Sequence, residues 1–182
     1  MAALVVALMV QASDRTALTS ALLGTRYAGK GGVLAGLALA LALGNAAGAV
    51  GGWLIAPLLS PQAADLLVAL AIVSAGASAL WPIRLRALPG RYGGFATALF
   101  AVGLLAIGDR TQFVTAALAA RTPMPALPAI GATLGALAVN IPAVVLGERR
   151  IRRLPLTAIR LGAAALLLLS GTFQGLSALR LI

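Results

Sequence analysis

Long apolar runs separated by short polar gaps dominate the chain. A helix crosses the hydrocarbon core of a bilayer with about 20 apolar residues. Six stretches meet that length, roughly 2–23, 33–56, 66–83, 95–119, 126–147 and 161–179. The gaps hold Gly, Pro and charge, as in Tyr27-Ala28-Gly29-Lys30-Gly31-Gly32 and Arg121-Thr122-Pro123-Met124-Pro125. A membrane β-barrel would show ten-residue strands alternating polar and apolar positions. These runs are longer and apolar on every side, so the expected fold class is an all-α integral membrane protein of six transmembrane helices. The opening Met1-Ala2-Ala3-Leu4-Val5-Val6 lacks the basic start of a signal peptide and reads directly as a span.

Composition supports the bilayer as partner and removes other classes. Of 182 residues, 61% are hydrophobic and 10% charged, against about half and about a quarter in a soluble domain. There is no Cys and no His, which removes thiolate and imidazole chemistry and the usual zinc and iron–sulfur ligands. The residues show no nucleophile–base set and no phosphate loop, so no enzyme is expected. The net charge of +10 sits in the gaps rather than on a soluble basic face, which argues for topology and lipid headgroups and against nucleic acid. Arg26, Lys30, Arg84, Arg86, Arg91, Arg149, Arg150, Arg152 and Arg153 all fall in the first, third and fifth gaps. The positive-inside rule places those gaps in the cytoplasm and both termini outside it, in the inner membrane of a bacterial-type cell. Oligomeric state is left open by the sequence.

An internal repeat appears when the chain is slid against itself by 95 residues. Asp14-Arg15-Thr16 then falls on Asp109-Arg110-Thr111, Asn45 on Asn140 and Arg26 on Arg121. Gly36, Gly52 and Gly76 fall on Gly131, Gly147 and Gly171. The reading is two homologous halves, residues 1–87 and 96–182, of three helices each. Three is odd, so the second half lies inverted. Inverted repeats of this kind build secondary transporters, with the site at the bilayer midplane between the halves.

The chemistry concentrates at the repeated tripeptide. Asp14 lies about 13 residues into its run, or ~20 Å deep at 1.5 Å per residue, and Asp109 lies at a similar depth. A charge at the centre of a spanning helix costs ~3 kcal/mol, so two Asp and two Arg left unpaired would cost ~12 kcal/mol. They therefore either pair as structural Asp–Arg clamps or line a pathway. Ser13 and Gly108, just before the aspartates, permit either a helix break that frees carbonyls for a cation or simple close packing. Gln11, Thr16 and Thr111 offer further oxygens. Asn45 and Asn140 either complete an oxygen-rich cage or hydrogen-bond between helices.

Gln11-Ala12-Ser13-Asp14-Arg15-Thr16 and Ala106-Ile107-Gly108-Asp109-Arg110-Thr111 resemble the signature E-x-G-D-[KR]-[ST]. That signature occurs twice in the transmembrane-protein-165/Gdt-one family of cation/proton exchangers. The resemblance covers essentially the whole chain, and Gly108-Asp109-Arg110-Thr111-Gln112-Phe113 is the closer match. It implies exchange of manganese or calcium for protons, with Asp14 and Asp109 as metal ligands, and no permanently bound cofactor. Gln11 and Ala106 stand where the signature has Glu. Four acids and two bases thereby become Asp14 and Asp109 facing Arg15 and Arg110, a near-neutral set if all four share one cavity. Arginines turned away along their helices would restore a charge of about −2. The alternatives are a six-span exporter of a small organic solute, and a non-transporting membrane protein with structural Asp/Arg pairs.

Overall fold

The computed structural model describes residues 1–12, 14–81 and 92–181. The basic positions Arg84, Arg86 and Arg91 and the small residue Ser13 lie outside the described residues. Eight α-helices follow in order: α1 (Ala2–Ala12), α2 (Arg15–Arg26), α3 (Lys30–Ile55), α4 (Pro61–Ala79), α5 (Gly94–Ala106), α6 (Arg110–Arg121), α7 (Ala126–Ile151) and α8 (Leu156–Ala178), with a short 3-10 turn, Ala56–Leu58, between α3 and α4. Among the described residues there is no strand. The all-helical class holds.

Four helices, α3 with its 3-10 turn, α4, α7 and α8, are long and apolar enough to cross a bilayer, and α5 with α6 makes a fifth candidate bent by 62°. The chain is thus a multi-pass membrane protein. Its surface is inside-out relative to a soluble domain. Leu43, Val50, Leu70, Phe100, Leu104, Ile130, Leu169 and Phe173 are exposed, while Gln11, Thr16, Ser20, Asn45, Thr111, Thr115 and Asn140 are buried. Lipid is the solvent that suits this arrangement.

Two expectations about element boundaries need correction. The runs 2–23 and 95–119 are each divided between two helices: α1 ends at Ala12 and α2 starts at Arg15, and α5 ends at Ala106 while α6 starts at Arg110. Local side-chain chemistry outcompetes the apolar pattern there, because an Asp that caps a following helix ends the preceding one. The run 126–147 extends beyond Gly147, whose φ of 72° and ψ of 172° kink α7 before helix resumes to Ile151. A positive φ of this kind is open to Gly at little cost.

Small residues decide how closely the helices approach. A Cβ on Gly52 of α3 would overlap the backbone carbonyl of Ala116 in α6, and one on Gly24 of α2 would overlap that of Val144 in α7. In the α4–α8 seam, Gly76 lies against Ala164 and Leu168, and Gly171 lies against Ala69 and Val73. Within that seam each residue is displaced from its counterpart by 95 positions. Packing recurs elsewhere in the same way, with α1 on α7 and α5 on α3, and with α2 on α7 and α6 on α3. Without a hydrophobic drive between helices in lipid, such backbone-to-backbone contact is a principal source of association.

This packing makes Gly52→Val an overpacking substitution, with an expected loss of ~1–3 kcal/mol, read as a lower melting temperature in detergent. Gly51, one position along, has open space where a Cβ would stand, with nothing within 4 Å. Gly51→Ala is therefore expected to leave the melting temperature unchanged.

Candidate functional site

Each aspartate of the repeated tripeptide is a helix N-cap. Asp14 has extended backbone (φ −105°, ψ 164°), and its carboxylate accepts from the Thr16 amide at 3.4 Å and the Thr16 hydroxyl at 2.6 Å. Asp109 has φ −72° and ψ 155°, and its carboxylate accepts from the Thr111 amide at 3.3 Å. The first amides of α2 and α6 have no partner within their helices. An ionised carboxylate at that end satisfies one and meets the positive end of the helix dipole. Asp-Arg-Thr therefore reads as N-cap, N1 and N2, with Thr16 adding its hydroxyl to the first cap.

Gly108 makes the second break possible. Its φ of +74° suits glycine, and its freed amide donates to Gln112 Oε1 at 2.7 Å. The Gln112 amide donates onward to the Gly44 carbonyl of α3 at 3.1 Å. One side chain thus satisfies the break and ties it to a neighbouring helix.

The two breaks meet. Gln11, in the last turn of α1, donates through Nε2 to Thr111 Oγ1 in the first turn of α6 at 2.9 Å. Its Oε1 accepts from Asn140 Nδ2 of α7 at 3.1 Å, and Asn140 Oδ1 accepts from the Ser20 hydroxyl of α2 at 2.8 Å. A buried chain of four polar side chains so links α2, α7, α1 and α6. Asn45 of α3 lies across the centre. Its Nδ2 donates to Thr133 Oγ1 at 3.1 Å, and its Oδ1 lies 3.4 Å from the Thr115 hydroxyl. That hydroxyl has a shorter acceptor, the Thr111 carbonyl at 2.7 Å, which takes most of its single proton. Ser20 with Asn140 and Thr115 with Asn45 are the same pairing displaced by 95 positions. Ala106 offers no counterpart to Gln11, so Asn45 finds Thr133 instead.

The carboxylates flank this centre, Asp14 three residues after Gln11 and Asp109 two before Thr111. Asp14 is buried at 7% exposure and Asp109 is half-buried. The arginines do not clamp them. Among the described residues, the ion pairs are Arg121 with Asp65 and Arg152 with Glu148, and neither repeat aspartate takes part. Arg15 is exposed, and Arg110 is half-buried with one guanidinium nitrogen that has no hydrogen-bond partner among the described residues. Among the described residues no three acidic groups cluster as a ready metal cage. The carboxylates of Asp14 and Asp109 and the hydroxyls of Thr16 and Thr111 are all hard oxygens.

Sequence reading picked out Gln11, Asp14, Thr16, Asn45, Asp109, Thr111 and Asn140, which lie in or beside this centre, and also Arg15 and Arg110, which the structure places as exposed and half-buried with no ion pair to either aspartate among the described residues. It missed Ser20, Thr115, Gln112, Thr133 and Asp65. Ser20 and Thr115 were within reach, because both are polar and share the 95-residue offset. Gln112 and Thr133 face the centre only through the helix break and the α3–α7 packing.

Interrupted helices meeting at a buried polar centre in a multi-pass membrane protein define the class, that of secondary transporters. The family model for the divalent cation/proton antiporter GDT1 matches residues 1–86 and 94–180, and the chain belongs to that family. It is similar to a Vibrio cholerae serotype O1 protein named "Putative manganese exporter", with 32% identity over 167 residues that cover 88% of this chain and 82% of that one. No solved structure matches the chain.

The capping geometry separates charge from fold. Asn caps a helix about as well as Asp, whereas Ala forfeits ~1 kcal/mol. Asp109→Asn is therefore expected to hold its melting temperature in detergent, and Asp109→Ala to lower it.

Proposed function

We propose that this chain exchanges a divalent cation, manganese or calcium, for protons at a midplane site between Asp14 and Asp109. In this reading α1 with α2 forms one interrupted span and α5 with α6 another, so that six spans arise with α3, α4, α7 and α8. Residues 1–87 and 96–182 are then two inverted halves. The observation that carries the reading is the pair of carboxylate-capped breaks, 95 residues apart, that meet through the Gln11–Thr111 hydrogen bond. The equivalent Ser20–Asn140 and Thr115–Asn45 pairs support the same relation. The basic gaps face the cytoplasm of the inner membrane, and both termini face out.

Charge explains the chemistry. Arg15 is exposed and Arg110 half-buried, and neither pairs with a repeat aspartate among the described residues. Two ionised carboxylates match one divalent cation once Arg110 also faces away from it, and hard oxygen donors suit manganese and calcium. The Thr16 and Thr111 hydroxyls and the carbonyls freed at the breaks supply further oxygens. Gln11 spends both ends of its amide on Thr111 and Asn140, so it acts as a tie between the halves before it acts as a ligand. When the cation leaves, a carboxylate pair in low dielectric is costly as a double anion, and protons replace the ion. Cation and proton thus compete for the same two groups. The manganese named for the Vibrio cholerae relative favours that ion as cargo, and rocking of one half against the other gives alternate access.

Calorimetric titration of purified protein with manganese and calcium tests this. Saturable binding is expected, with protons released on binding, seen as a dependence of the measured heat on buffer ionisation enthalpy. Affinity is expected to fall as the pH is lowered. The Asp14→Asn/Asp109→Asn variant keeps both caps and is expected to lose more than the ~10–100-fold that removal of an outer-shell partner costs. A folded wild type that binds neither ion rejects divalent exchange and turns the search to organic solutes.

A further inference from the structure

The repeat relation is broken at one place, and the break has a direction. α4 packs against α6, but α2 and α8, the pair related to them by the 95-residue offset, make no more than a marginal touch. At the α4–α6 end, Arg121 of α6 meets Asp65 of α4 at 2.6 Å. The equivalent positions on the other side carry Arg26 and Arg160, two cations that cannot form that bond with each other. Arg160 has a buried guanidinium nitrogen with no hydrogen-bond partner among the described residues. One seam is closed and latched, while its counterpart is parted and like-charged.

We infer that the Asp65–Arg121 ion pair is a gate that holds one face of the transporter shut while the opposite face opens to the carboxylate pair. The inference rests on the inverted-repeat reading, in which the two seams must close in turn. By the charge-based topology the latched face is the non-cytoplasmic one, which in this reading leaves the parted cytoplasmic seam as the side from which an exporter would load. The pair borders a cavity of about 380 Å³ lined by Leu59, Pro61, Ala64 and Ala120, and both side chains remain partly exposed. A partly exposed pair adds little net stability, which suits a latch that must part in every cycle. Beneath it Ala117 of α6 is wholly buried in one cluster with Val68, Ala71 and Ile72 of α4. That seam is what an opened gate would wet.

The chain has no cysteine, so single reporters can be placed without background. Ala117→Cys is reconstituted in vesicles and exposed to a charged, membrane-impermeant thiol reagent on the face that carries Arg121. Met124→Cys, at an exposed position, reports which face that is. Asp65→Asn and, separately, Arg121→Gln are expected to speed labelling of Ala117→Cys by up to about five-fold, the scale of losing a half-exposed ion pair. The charge swap Asp65→Arg/Arg121→Asp is expected to bring the rate back toward that of the parent. Linking Ala64→Cys to Ala120→Cys with a short bifunctional thiol reagent is expected to stop cation flux, and reductive release to restore it. Unchanged labelling in both single variants, or flux that persists through a verified link, overturns the gate. The labelling arm needs no ion. A wild type that moves no divalent cation yet shows the labelling changes would sink the exchange reading and leave the gate standing.

Discussion

A helix broken inside a membrane must find partners for the amides and carbonyls it releases, because lipid offers none. Everything at the centre of this protein follows from that constraint. Asp14 and Asp109 cap the helices that resume after each break, and the Thr16 hydroxyl and Gln112 side chain take up neighbouring groups. Among the described residues, those same carboxylates are the acidic groups of the polar centre. The atoms that make the interruption tolerable are also those that the proposed exchange assigns to the cation.

The surrounding helices serve the breaks. Gly52 and Gly24 let α3 and α7 approach the half-helices backbone to backbone, which brings Asn45 and Asn140 within hydrogen-bonding distance of the centre. A larger residue at either glycine would push the asparagines away before it disturbed anything at the surface. Packing and polar satisfaction are therefore one problem here, since the small residues set the spacing that the amide and hydroxyl bonds require. The exposed leucines and aromatics add hydrophobic area toward lipid and little specificity.

Departure from the family signature has a structural answer. Where Glu is replaced by Gln11, the amide ties α1 to two other helices, donating to Thr111 of α6 and accepting from Asn140 of α7. A carboxylate could accept both ways but could not donate to Thr111. Where Glu is replaced by Ala106, nothing bridges, and Asn45 turns to Thr133. The two copies of the motif keep the capping aspartates and differ in how they are tied to their neighbours. The latched Asp65–Arg121 seam and its like-charged counterpart extend that difference to the faces of the protein.

The all-helical membrane class, the 95-residue repeat and the identity of most central residues are properties of the linear pattern. Apolar run length is set by bilayer thickness, and buried polar residues are too costly to occur at random. The breaks themselves are local too, since Gly108 followed by Asp-Arg-Thr is a cap signal, and the linear pattern left them open beside simple close packing. Other features were decided only by the fold. Whether Arg15 neutralises Asp14 depends on the direction of one side chain from its helix, and Arg15 is exposed and outside the ion pairs among the described residues. Whether Gln11 is a ligand or a tie depends on Thr111, 100 positions away. The Asp65–Arg121 pair joins residues that no spacing rule connects, because its geometry comes from how α4 leans on α6. Sequence periodicity reports what each helix shows to lipid, and only packing determines which polar groups on different helices meet.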